Sequence, residues 1–168
     1  MPVKLAVISE SRPGENRVAI VPEVAAKLAK TGVDVVVQSG AGVGARFPDD
    51  DFVQAGATIA PDAPSALAGA DFVAHVQPLT VDEVALLPAG VSVMSFLQPV
   101  ASVDVVQALA AKGATVYSLD LLPRISRAQS MDALSSQATV AGYRAGPAAV
   151  MNIGKNLARC SAAAKPAR

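Results

Sequence analysis

Short apolar runs alternate with helical patterns over most of the chain. VKLAVI (3–8), VDVVVQ (33–38), DFVAHVQ (71–77), VSVMSFL (91–97) and ATVYSL (114–119) are rich in Val, Ile and Leu, and ATIA (57–60) is a weaker sixth. Several carry apolar residues at both parities, which suits strands covered on both faces. Between them, PEVAAKLAKTG places Pro22 at a first helical position and Gly32 as a stop. TVDEVALL and SVDVVQALAAKG follow, with Thr80 and Ser102 as N-caps ahead of acidic residues. The alternation predicts an α/β fold, flavodoxin-like or Rossmann-like, with a mainly parallel sheet and flanking helices. In such a fold ligands sit by default where strands end and helices begin.

After Ser126 the period changes. Met131, Leu134, Ala138, Ala141 and Ala145 recur at spacings of three and four. This predicts a longer C-terminal helix whose apolar stripe faces the protein. Asp132, Ser135, Ser136 and Thr139 fall off that stripe, and Gly146-Pro147 is expected to break or kink the helix. The expected organisation is an α/β subdomain over 1–126, a connecting helix over 127–146 and a divergent tail over 147–168.

Composition narrows the function classes. The 168 residues suit one domain, and 52% hydrophobic with 4% aromatic residues implies an aliphatic core. Lys plus Arg and Asp plus Glu balance at 14 each, which argues against a sequence-independent nucleic-acid binder. Cys160 is the sole cysteine, so no intrachain disulfide or cysteine metal cluster is expected, and it reads as inert. There is no signal-peptide pattern and no run of about 20 apolar residues, so the expected setting is cytoplasmic.

GAGVGA (40–45) matches the dinucleotide fingerprint G-x-G-x-x-G/A. The fingerprint needs a helix that opens at once, and Pro48 followed by three aspartates denies it one, so the reading is a turn without a phosphate role. On that reading Gly42→Ala should leave nucleotide affinity unchanged. His75, the only histidine, reads as a half-buried, satisfied residue of a strand. In SESRPGENRVAIVPE (9–23), Pro13 and Gly14 make a turn, and Arg17 is the charged residue placed to turn back into a cleft. The densest chemistry lies in PRISRAQSMDALSSQA (123–138). Arg124 and Arg127 offer planar multi-donor forks, Gln129 both donates and accepts, and Asp132 accepts from an amide.

RISRAQSMDALSSQA followed by VAGYRA (140–145) resembles the alpha subunits of proton-translocating NAD(P) transhydrogenases. ESRPGENRVAIVPE is similar to the opening that this family shares with alanine dehydrogenases, and FVAHVQPLTVDEVALLPAGVSVMSFLQP follows the shared framework. The resemblance covers residues 3–145. It implies that Arg124, Gln129, Asp132 and Ser135 receive the nicotinamide ring of NAD(H), with Arg127 and Ser130 as near neighbours. NADP(H) would sit on a partner domain, and hydride would pass directly between the two rings, a reaction that needs positioning and no protein acid or base. Catalytic residues in the acid–base sense and metal ligands are therefore not expected.

The alanine dehydrogenase branch would need an Arg, a Lys and a His. Arg17 matches the first, but the other two positions read as Val76 and Gln98. Members of the family continue into a Rossmann domain that holds the cofactor pyrophosphate. The chain alone is accordingly expected to be inactive. The partners implied are that domain or other transhydrogenase subunits, with a homodimer left open, and membrane contact only through a partner at the inner face of the cytoplasmic membrane. The alternative is a non-catalytic interaction module that keeps the fold.

Overall fold

The computed structural model describes residues 2–153, and the side-chain surroundings of residues 2–145. Cys160 and the basic tail lie outside the described residues. The chain divides into two compact units, one ending at Leu121 and one beginning at Leu122.

The first unit carries six strands: β1 (Lys4–Val7), β2 (Asp34–Gln38), β3 (Thr58–Ala60), β4 (Phe72–Ala74), β5 (Ser92–Ser95) and β6 (Thr115–Ser118). All neighbours pair in parallel, in the order β3-β2-β1-β4-β5-β6. The expected Rossmann-like sheet is present, and the weakest strand signal becomes the edge strand β3. The chain winds outward from β1 to β3, then returns to the centre and winds the other way. The topological switch therefore falls between β1 and β4, the usual position of a ligand crevice in such sheets.

Both faces are covered, and the strand alternation sorts the side chains. Leu5, Val7, Val35 and Val37 enter one core with Ala25 and Phe52. Ala6, Ile8, Val36, Val73 and Val93 enter the other with Leu67, Val84 and Leu109. That is why these runs lack a clean apolar–polar period.

The helices are α1 (Pro22–Lys30), α2 (Asp49–Gln54), α3 (Ala63–Leu67), α4 (Val81–Leu86) and α5 (Val103–Ala111). Pro22 opens α1, and Gly32 follows it at φ 87. Thr80 and Glu83 form a reciprocal capping box on α4: Thr80 Oγ1 accepts the Glu83 N–H at 3.2 Å, and Glu83 Oε2 accepts the Thr80 N–H at 2.7 Å. Ser102 departs from expectation. It stands at the start of α5 but makes no side-chain cap, its backbone at φ −127 and ψ 46 lying outside the extended geometry of a capping residue, and Asp104 supplies the negative charge of the first turn.

The second unit departs further. In place of a helix from residue 127, Ser126–Met131 form a 3-10 helix and α6 runs Ala133–Ile153. Asp132, at φ −77 and ψ 79, separates the two, because its side chain caps α6 and so takes the chain out of helical geometry. Gly146-Pro147 does not end α6, which continues to Ile153. A proline removes one helical hydrogen bond, and the alanines around it have the highest helix propensity. The stripe also falls on the surface: Met131 is 56% exposed, Leu134 41%, and Ala138 is exposed as well. Periodicity fixes which residues share a face, and coverage of that face depends on what packs there.

Candidate functional site

Within the second unit, Pro123, Arg124, Ile125, Ser126, Gln129, Asp132 and Ser135 line a cleft of about 280 Å³. The local backbone explains the set. In a 3-10 helix side chains at i and i+3 eclipse, so Ser126, Gln129 and Asp132 fall on one side, and Ser135 in the first turn of α6 extends the row. Arg127 and Ser130 are one position off that row and do not line the cleft. Arg124, Gln129, Asp132 and Ser135, from four places in the sequence pattern, are brought together.

Asp132 and Ser135 are tied to each other. Asp132 Oδ1 accepts the Ser135 N–H at 3.0 Å and Oδ2 accepts the Ser135 hydroxyl at 2.6 Å. These two bonds, with the Arg124 charge adding to them, hold the Asp132 carboxyl below the usual range, so it stays ionised. Each oxygen keeps a lone pair for a further donor. Among the described residues the side chains of Arg124 and Gln129 make no protein hydrogen bond. Ile125 and Pro123 add apolar wall. Such a cleft suits a flat ring bearing a carboxamide, with the amide NH₂ toward Asp132 and its oxygen toward Arg124 or Gln129. The volume lies just below the roughly 300–1,000 Å³ of pockets that enclose a drug-sized ligand.

The strand ends of the first unit are built differently. At the β1/β4 switch, Glu10, only 3% exposed, accepts the N–H groups of Val76 and Gln77 at 2.7 and 3.1 Å. At the end of β2, Asp49 accepts the Gly40 N–H at 2.8 Å and the Ser39 hydroxyl at 2.7 Å. At the end of β5, Asp120 accepts the N–H groups of Leu97 and Gln98, both at 3.0 Å, and the Ser118 hydroxyl at 2.6 Å. Gln98 is held there at φ 48, in the left-handed region. At the end of β1 the Ser9 N–H goes to Gln38 Oε1 at 2.9 Å. At each of these places a backbone donor at a strand end is occupied by one of the protein's own side-chain oxygens.

Glu15, Arg17 and Gln77 continue this network. Arg17 Nε donates to Glu15 Oε1 and Gln77 Nε2 to Glu15 Oε2, each at 2.7 Å. The Arg17 bond, helped by Gln77, draws the Glu15 carboxyl down to about 2 against the opposing effect of burial, and the same pair pushes Arg17 upward. Arg17 does line a small cavity of about 110 Å³ with Ser9, Glu10, Glu15, Gly40 and Gly44. Its guanidinium faces a carboxylate of the same loop.

The glycine run has a packing role. A 3-10 turn covers Val43–Ala45, and Pro48 immediately precedes α2. A Cβ on Gly42 would lie 2.5 Å from the Phe47 carbonyl oxygen and 2.6 Å from the Phe52 ring. Gly42→Ala is thus a structural lesion, a packing role for this glycine that the sequence did not show. His75 also differs from expectation: it is buried (3%) beyond the end of β4, its Nδ1 lies 2.7 Å from the Gln77 carbonyl oxygen, and Nε2 has no protein partner. Glu10, Asp49 and Asp120 were not singled out by sequence as acceptors for remote backbone. Only their position just after or opposite a strand end marks them.

Residues 6–141 match the family model for the alanine dehydrogenase/PNT N-terminal domain. The first of the pieces that make up the NAD(P) transhydrogenase alpha subunit of Rhodospirillum rubrum is 52% identical over 148 residues, which cover 85% of this chain and 38% of that protein. The alanine dehydrogenase of Halomonas elongata is 34% identical over 85% of this chain and 38% of its own length. The crystal structure of a transhydrogenase from Sinorhizobium meliloti superposes with a TM-score of 0.84 at 39% identity, over 88% of this chain and 44% of that one. The chain thus spans about two-fifths of the length of these relatives.

Proposed function

The chain belongs to the family of alanine dehydrogenase/PNT N-terminal domains, and from that premise we propose that it is the N-terminal part of the NAD(H)-binding component of an NAD(P) transhydrogenase. Arg124, Gln129, Asp132 and Ser135 receive the nicotinamide ring of NAD(H). The cofactor supplies the hydride, which passes to or from NADP(H) on a partner domain. The residues of this chain hold the ring at the reacting distance and angle, and that is the whole of what direct transfer between two nicotinamides asks of them.

The observation that carries the reading is the cleft in which those four side chains meet, with two uncommitted multi-donor groups and an ionised acceptor. The self-filled strand ends of the first unit favour it too. Their carboxylates occupy backbone donors there, and the pyrophosphate is assigned to a partner. Amino-acid dehydrogenation is disfavoured because Arg17, the one matching group, is paired with Glu15. The membrane is reached only through partner subunits; among the described residues no helix is long and apolar enough to cross one.

The test is made in the assembled enzyme carrying this chain. Gln129→Ala should lower the hydride-transfer rate about 10- to 100-fold while changing NADH affinity several-fold at most, because a misplaced ring loses the reacting geometry first. An unchanged rate in the folded variant would leave the chain as a packing module without a cofactor role.

A further inference from the structure

Among the described residues two buried side-chain polar atoms have no protein partner, His75 Nε2 and Ser95 Oγ. They come from adjacent strands. Ala74 pairs with Met94, and the His75 N–H to Met94 carbonyl bond at 2.9 Å extends that ladder by one residue, which sets His75 opposite Ser95. Ser95 in turn pairs with Ser118 on β6. In parallel strands opposed residues share a face. It is the face of Val73, Val93 and Val116, so the three polar residues form a row one step beyond an apolar one.

Their chemistry is complementary. A carbonyl oxygen can only accept, so the 2.7 Å contact with Gln77 puts a proton on His75 Nδ1, and in the neutral ring Nε2 is then an acceptor. Glu10 Oε2, 3.4 Å from the same Nδ1, favours this tautomer. Ser95 Oγ can donate or accept. The Ser118 hydroxyl gives its proton to Asp120 and keeps an acceptor site facing the row. Buried polar atoms left unpaired are costly, and sites with two to four polar partners hold internal water.

We propose that one internal water molecule is bound between His75 Nε2 and Ser95 Oγ. It links His75, which stands beside Glu10, to Ser95, whose register neighbour Ser118 donates to Asp120. These residues lie in the loop after β1 and at the ends of β4, β5 and β6. The water also fixes the imidazole as the Nδ1–H tautomer, and with it the carboxylate of Glu10 over Val76 and Gln77. His75 is a positioning residue on this view, acting through Glu10.

Heteronuclear NMR on the full chain tests it. The expected result is an Nε2 that carries no proton, and a cross-relaxation signal from a long-lived water to the His75 ring. Ser95→Ala should abolish the water signal and lower Tm by a few degrees, and Ser95→Thr, which keeps the hydroxyl, should retain it. A proton on Nε2, or a direct Ser95 hydroxyl to Nε2 bond with no water signal, would overturn the proposal. The tautomer and water readings are made on the unmodified chain and stand even if Ser95→Ala does not fold.

Discussion

The two regions that concentrate this chain's polar side chains are built in opposite ways. At the ends of β1, β2, β4 and β5, Glu10, Asp49, Asp120 and Gln38 are each bonded to backbone N–H groups of another segment. In the 123–135 cleft, Arg124 and Gln129 have no protein partner among the described residues, and Asp132 bonds only within its own turn. The first arrangement ties the strand ends to other segments of the chain. The second leaves donors in water, where ordering them costs entropy that folding does not repay. Stability and recognition are therefore separable along this chain, and substitutions can test how cleanly.

The largest effect on the fold is expected at Glu10. Glu10→Ala would leave the Val76 and Gln77 N–H groups buried without acceptors, and a loss of about 2–4 kcal/mol is expected in urea unfolding. A loss below about 1 kcal/mol would break the comparison, since the strand ends would then not be held by their carboxylates. Glu15 comes next. Its folded pKa of about 2 lies below the ordinary value of 4.5. The ionised group therefore stabilises the fold above pH 4.5, and that contribution is lost as pH falls toward 2. It amounts to no more than about 3 kcal/mol and is reduced by the 40% exposure of its partner Arg17. Glu15→Gln should flatten the fall in stability over this window, and an unchanged slope would count against the pair.

Gly42→Ala should cost about 1–3 kcal/mol through its contacts with Phe47 and Phe52, with affinity changing only as the folded fraction does. Nucleotide affinity lost in the fully folded variant would restore a phosphate role to the run. The smallest effect on stability is expected at Asp132. Because it caps α6, Asp132→Ala confuses a lost cap with a lost ligand. Asp132→Asn keeps a capping oxygen and removes the charge, so Tm should move by no more than about two degrees. In the assembled enzyme the hydride-transfer rate should still fall, and equal rates would make Asp132 a cap and nothing more.

How far sequence reaches follows from the range of the interactions involved. The six strands and the Thr80 cap are local patterns, and each stands where the pattern puts it. Helices α2 and α3, with six and five residues, are too short to show a period. The cleft was legible as a run of residue types, but its membership depended on a 3-10 helix. That geometry selects Gln129 over Arg127 by a spacing of three, where a helix from 127 would have grouped them otherwise. Glu10 accepts from residues 66 and 67 positions away, and nothing near Glu10 in the chain announces that. Leu134 and Met131 show the converse, a period that was real and a burial that was not.

The position of β1 at the centre of the sheet has a consequence for synthesis. Of the six strands β1 is made before the others and can pair with β2 early, yet its other edge waits for β4. At about 5–20 residues per second, the interval between Val7 and Ala74 lasts roughly 3–13 s. Throughout it a Leu-Ala-Val-Ile ladder faces whatever other strand is near, the circumstance in which sheets join the wrong chain. Lys4 stands at the entrance of that edge. In the finished fold its backbone N–H goes to Asp71 and its ammonium to the Ala68 carbonyl, on the segment that leads into β4. A charge at an open strand edge discourages stray pairing, and Lys4 places one at the entrance of the edge that β4 later takes.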